Sequence, residues 1–148
     1  MLQKMRILFL VCITAVLAAC GGGDSGSGSG GGGETPNFAG TYRVSASLTT
    51  NNCNVAVDTS ILTQDTATQN GRAMSILSAG VAFTGSVDAD NGGFSVSNTT
   101  VSSGVPAVST IAFRTAAAAN TYAVNVSVSA SSGGSTCSVV YTGTATRS

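Results

Sequence analysis

The stretch TYAVNVSVSASSGGSTCSVVYTGTATR, residues 121–147, decides the fold. In its first half Val124, Val126 and Val128 alternate with Asn125, Ser127 and Ser129. In its second half Cys137, Val139 and Tyr141 alternate with Ser138, Val140 and Thr142. Successive side chains of an extended strand point to opposite faces, so a period of two marks a strand with one buried side. Between the runs stands Ser131-Ser132-Gly133-Gly134-Ser135, whose glycines suit a tight reversal. The pair reads as an antiparallel hairpin.

The same period recurs upstream. Tyr42, Val44, Ala46 and Leu48 alternate with Arg43, Ser45 and Ser47, and Val81, Phe83 and Gly85 with Ala82 and Thr84. Asn70-Gly71 and Asn91-Gly92-Gly93 supply further turns. The pattern predicts about eight strands, near 41–48, 57–64, 72–77, 81–87, 93–99, 108–115, 121–130 and 136–146. Four alanines at 116–119, followed by Asn120, read as a loop. Ser and Thr supply 36 of the 114 residues from 35 onward, with three Leu and no Lys, a composition suited to pleated, half-buried surfaces. Most connections are short. The expected fold is therefore all-β, an antiparallel meander of about eight strands closing into a small β-barrel, since closure removes exposed edges. A two-sheet β-sandwich is the alternative.

Composition removes several functions. Six basic residues against six acidic ones offer no basic face to nucleic acid. The chain has no His, which excludes Ser/His/Asp and Cys/His nucleophiles and His-ligated metal. No Lys follows residue 34, and no G-x-S-x-G occurs. The acids of residues 35–148 are Asp58, Asp65, Asp88 and Asp90. Asp88 and Asp90 lead into Asn91-Gly92-Gly93, which is turn chemistry. Read as a calcium loop, the segment is one residue out of spacing and lacks the closing Glu. Arg43, Arg72, Arg114 and Arg147 are scattered along the sequence with no cluster for phosphate. Asn98-Thr99-Thr100 and Asn125-Val126-Ser127 match glycosylation sequons by chance. The expectation is a protein that is not an enzyme and needs no cofactor and no metal.

The N-terminus carries an address. Lys4 and Arg6 precede the uncharged run Ile7–Val16, a positive segment and an apolar segment of signal-peptide length. The run is short of the roughly 20 apolar residues that a membrane-spanning helix needs. Leu17-Ala18-Ala19-Cys20 follows, and it resembles the lipobox of bacterial lipoproteins. The resemblance implies a signal peptide at 1–19 and lipidation of Cys20, with acyl chains (palmitate among them) anchoring the protein stably. Gly21, standing where that family places Asp for inner-membrane retention, implies the outer membrane, within the periplasm or at the cell surface. Residues 21–34 hold nine Gly, three Ser, Asp24 and Glu34, and have no apolar surface with which to offset ordering entropy. This segment reads as a tether of roughly 20 Å mean span. Gly28, Gly30 and Gly33 match G-x-G-x-x-G, without the strand and helix that would make it a nucleotide site. The expected organisation is signal 1–19, lipidated Cys and tether 20–34, and β-barrel domain 35–148.

Cys12 leaves with the signal and Cys20 takes lipid, so Cys53 and Cys137 remain. An even pair in an exported chain reads as a disulfide bond. It would join the loop after the first strand to the start of the last, two neighbours in an up-and-down barrel.

Gly40 and Tyr42 open the first strand and Arg147 closes the last. This resembles the lipocalin-like barrel pattern, in which a G-x-W packs beneath an Arg from the far end of the barrel, with Tyr42 in place of Trp. The resemblance implies a barrel-closing motif of Gly40, Tyr42 and Arg147. On their residues alone, Tyr42 reads equally as a core aromatic and Arg147 as a solvated tail residue. Two roles are expected. One is a small-ligand or lipid-binding barrel of the cell envelope, holding a small hydrophobic ligand. The other is a structural or interaction module, without a ligand, that meets an envelope protein.

Overall fold

The computed structural model describes residues 34–118 and 120–148. The expected signal segment, Cys20, the expected tether through Gly33, and Ala119 lie outside the described residues.

Eight strands follow in chain order: β1 Gly40–Asn51, β2 Ser60–Asn70, β3 Ala73–Ser78, β4 Val81–Val87, β5 Gly93–Ser102, β6 Val105–Thr115, β7 Thr121–Ser132 and β8 Ser135–Arg147. Each pairs antiparallel with the next, and β1 pairs with β8, which closes the barrel. The meander barrel expected from the alternation is the fold, and among the described residues no second sheet forms. Residues 116–118 are irregular, as the loop reading requires.

Register places alternate residues inside. Val44, Ala46, Val96, Ile111, Val124, Val139 and Ala145 are buried, while Arg43, Ser45, Ser47, Thr84, Ser97 and Asn125 are exposed. Apolar within and polar without is the inverse of a barrel that spans a bilayer. Leu62, Leu77, Val101 and Val108 are exceptions, apolar side chains on the outer face.

Several strands run longer than the sequence reading; β1, for one, continues past residue 48 to Asn51. β5 and β6 run on through residues 100–102 and 105–107 to meet at a two-residue turn, Ser103-Gly104, where φ is positive at both (52° and 79°). That geometry matches the right-handed twist of the flanking strands. β2 begins at Ser60 and continues to Asn70, so Asp65 and Gln69 lie within a strand and face inward. Closure also needs bends where backbones approach. At Gly143, facing β1, an added Cβ would overlap the Ser45 carbonyl oxygen, so only glycine lets the closing seam form.

Candidate functional site

One end of the barrel is a sealed floor. The chain preceding β1 folds under it, carrying Phe38 into the core at 3% exposure. Phe38 meets Phe94 at 5.4 Å and Tyr122 at 6.3 Å between ring centroids. Tyr42 lies 5.1 Å from Phe113 and 5.3 Å from Tyr122, and Phe94 stacks on Phe113 at 4.7 Å. These offset and edge-on contacts contribute beyond the area they bury.

Polar groups hold the strap in place. The Tyr42 hydroxyl donates to the Phe38 carbonyl at 2.6 Å. Gln69, facing inward from β2, accepts from Phe38 N–H at 2.7 Å and donates to the Pro36 and Gly71 carbonyls. Arg147 donates to the Asn37 carbonyl at 2.7 Å.

The structure therefore brings Gly40, Tyr42 and Arg147 together. Tyr42 and Arg147 are register partners across β1 and β8. Gly40 has φ +150°, and a Cβ there would come within 3.0 Å of Arg147 Cδ, so the Arg147 stem crosses bare glycine backbone. Tyr42 is a core aromatic, and Arg147 is a strap-holding residue.

Burial, reinforced by the neighbouring Tyr122, raises the Tyr42 hydroxyl well above the usual phenol range, against the lowering effect of Arg147. A raised folded value contributes stability that is complete below about pH 10, the unfolded phenol value, and is lost as pH rises through the folded one. Alkaline unfolding followed by circular dichroism should be shallower in Tyr42→Phe. Some dependence should remain from Tyr141, which is also raised by burial and by Asp58.

The opposite end is a rim. The Cys53–Cys137 disulfide joins the loop after β1 to the third residue of β8. Asn51 Nδ2 donates to the Val55 carbonyl, and the Tyr141 hydroxyl donates to the Asp58 carbonyl at 2.9 Å, so the disulfide-tied loop is also hydrogen-bonded down. Beside the disulfide lies a shallow hollow lined by Asn52, Val105, Ala130, Ser132, Ser135 and Thr136. A second open hollow, at Gln69, Asn70, Met74 and Gly85, lies near the β2–β3 turn.

At the floor end, Arg72 and Arg114 converge on the turn between β4 and β5, though the sequence had placed them apart. Arg72 donates to Asn91 Oδ1 at 2.8 Å and to the Val87 and Asp88 carbonyls. Arg114 pairs with Asp90 at 2.8 Å and with Asp88 at 3.5 Å. Both carboxylates are thus spent on an arginine rather than held open for a cation. The Gly92 N–H, with Arg114 adding to it, holds the exposed Asp90 carboxyl below its ordinary range. A lowered folded value is a contribution present above the ordinary carboxylate range and lost as pH falls through the folded one. NMR titration should find Asp90 ionising below the ordinary carboxylate range, and Arg114→Ala should move it partway back.

Asp65 is the residue sequence reasoning passed over. It is 1% exposed, and its Oδ1 has no hydrogen-bond partner among the described residues. The only sequence signal was an acid spaced two from Thr63 and Ala67, which is visible only if β2 is known to run that far. Among the described residues no cluster of three metal-ligating acids, Cys or His forms.

The geometry defines a closed eight-stranded meander barrel with a sealed aromatic floor and a disulfide-clamped rim. Comparison with known proteins finds no family model, no curated protein and no solved structure that matches the chain.

Proposed function

We propose that this chain is a lipid-anchored protein of the bacterial cell envelope whose barrel is an interaction module, displayed on a tether and working at its rim. The observation that carries this reading is the floor. Tyr42, Phe94 and Phe113 are fully buried against one another, so the floor end of the barrel is filled by the chain's own side chains, which favours a contact made outside the barrel over an enclosed ligand. The lipobox supports the anchor, and the polar outer face of the strands supports a domain that stands in water beside the membrane. The outer membrane fits Gly21 after Cys20.

Cell fractionation tests the anchor. Cys20→Ser should move the protein from the membrane fraction to the soluble envelope fraction, and continued membrane retention would overturn the anchor. In-cell photocrosslinking from Thr136 at the rim tests the module. A discrete adduct with an envelope protein is expected there and not from Thr84 on the barrel wall. No adduct at the rim, together with an unaltered envelope on deletion of the gene, would remove the reading's support.

A further inference from the structure

We propose that a notch in the barrel wall above the β3–β4 hairpin is a binding site for a small primary amine, with Asp65 as the group that takes its ammonium. This goes beyond the interaction reading and does not rest on it.

The notch follows from register. β3 and β4 are the shortest strands, and their turn at Ala79-Gly80 stops well below the rim. On one side, β2 pairs with β3 only from Asp65 onward, opposite Ser78. On the other, β4 pairs with β5 only through Thr84–Val87 against Phe94–Ser97. The upper part of β2, from Ser60 to Gln64, and the upper part of β5, from Asn98 to Ser102, therefore flank a lowered stretch of wall. Above the last paired residues, a side-chain hydrogen bond from Asn98 Nδ2 to the Ala82 carbonyl crosses the β4–β5 seam.

Asp65 stands at the base of that notch. Asp65, Ser78 and Val81 are successive register partners on the inner face, at 1%, 9% and 40% exposure. The carboxylate is thus one hydroxyl and one valine away from solvent.

Among the described residues it forms no ion pair. Arg72 and Arg114 are engaged at the floor turn, Arg43 is exposed on the outer face, and Arg147 lies beyond Tyr42 on the strap. A buried carboxylate without partners is expensive, and Asn or Ser would fill the same place at less cost. Gln69, two turns of the pleat away on the same face, shows the contrast, since its amide is fully used. Departures from the rules of packing concentrate at functional sites.

The chemistry of the place selects the ligand. A single carboxylate supplies one unit of charge, too few oxygens for a divalent cation, which takes six or more. Ser78, Thr63 and Tyr42 are the hydroxyl-bearing inward neighbours, the Tyr42 hydroxyl donating to Phe38, and Val81 and Phe83 offer apolar surface to a short alkyl stem. A primary ammonium donates three hydrogen bonds and matches the charge.

The test is thermal unfolding of the full chain in n-butylammonium chloride, against sodium chloride and tetramethylammonium chloride at equal ionic strength. At about tenfold its Kd, butylammonium should raise the wild-type midpoint by about 5 °C over sodium, and tetramethylammonium, which has no N–H, should not. Asp65→Asn should melt higher than wild type without amine and lose the response. Ser78→Leu, which closes the passage and leaves the carboxylate, should also lose it, and it carries the test if Asp65→Asn fails to fold. A wild type that responds no more to butylammonium than to sodium overturns the proposal. So does an equal response to tetramethylammonium, or a full response in either variant.

Discussion

Replacing Cys53 and Cys137 together by serine should lower the stability of the barrel by about 4–5 kcal/mol, the value the chain-entropy model gives for a loop of this length. The two residues are 84 apart in sequence, so the bond restrains most of the unfolded chain from β1 to β8. It also pins the loop between β1 and β2, where Val57 and Cys53 pack against the core. A loss of that size is comparable to the whole net stability of many small domains. Urea unfolding of the oxidised protein and of the double variant measures it. A shift in midpoint corresponding to less than about 2 kcal/mol would mean that the unfolded chain gains little freedom when the bond is absent. The reduced wild-type protein should match the double variant.

Phe94→Ala should cost about 3–5 kcal/mol, the range for removing a buried aromatic ring. Phe94 is fully buried, stacks on Phe113, and touches both Phe38 and Tyr42. Its removal would open a cavity that rigid neighbouring strands cannot collapse into. The comparison is Val101→Ala on the outer face, 69% exposed, which should change stability by no more than about 0.5 kcal/mol. Thermal melting of the two variants side by side distinguishes a packed floor from a loose one. Similar midpoints would overturn the account of the floor given above.

The strands that were legible in sequence are those whose inner face is apolar throughout. β7 and β8 present Val124, Val126, Val139 and Tyr141 inward, and burial by itself writes the period of two. β2 breaks that rule in both directions. Its outer face carries Leu62 at 82% exposure, and its inner face carries Thr63, Asp65 and Gln69. Hydrophobic alternation therefore fades at residue 64, although the strand continues to Asn70. The polar residues that hide the strand are the ones with specific tasks, Gln69 holding the strap and Asp65 standing unpaired.

The pairing of Cys53 with Cys137 was legible because they are the two cysteines that follow residue 20, and the barrel puts their strands side by side. Tyr42 and Arg147 were legible as a pair, but their task was not. The Phe38 strap lies outside any strand, and no alternation announces it. The meeting of Arg72 and Arg114 was likewise hidden, because a turn between β4 and β5 brings together residues from β6 and from the β2–β3 turn.

The strap also decides how the barrel bears force. Any pull on the chain ahead of Glu34 reaches the fold at Pro36, Asn37 and Phe38. There the load divides among Gln69 on β2, Arg147 on β8 and the Tyr42 hydroxyl on β1. Three adjacent strands take the strain together, so β1 is not peeled from the seam one hydrogen bond at a time. The buried Phe38 ring acts as a knot below the barrel, and the first event under tension is its extraction rather than the unzipping of a strand.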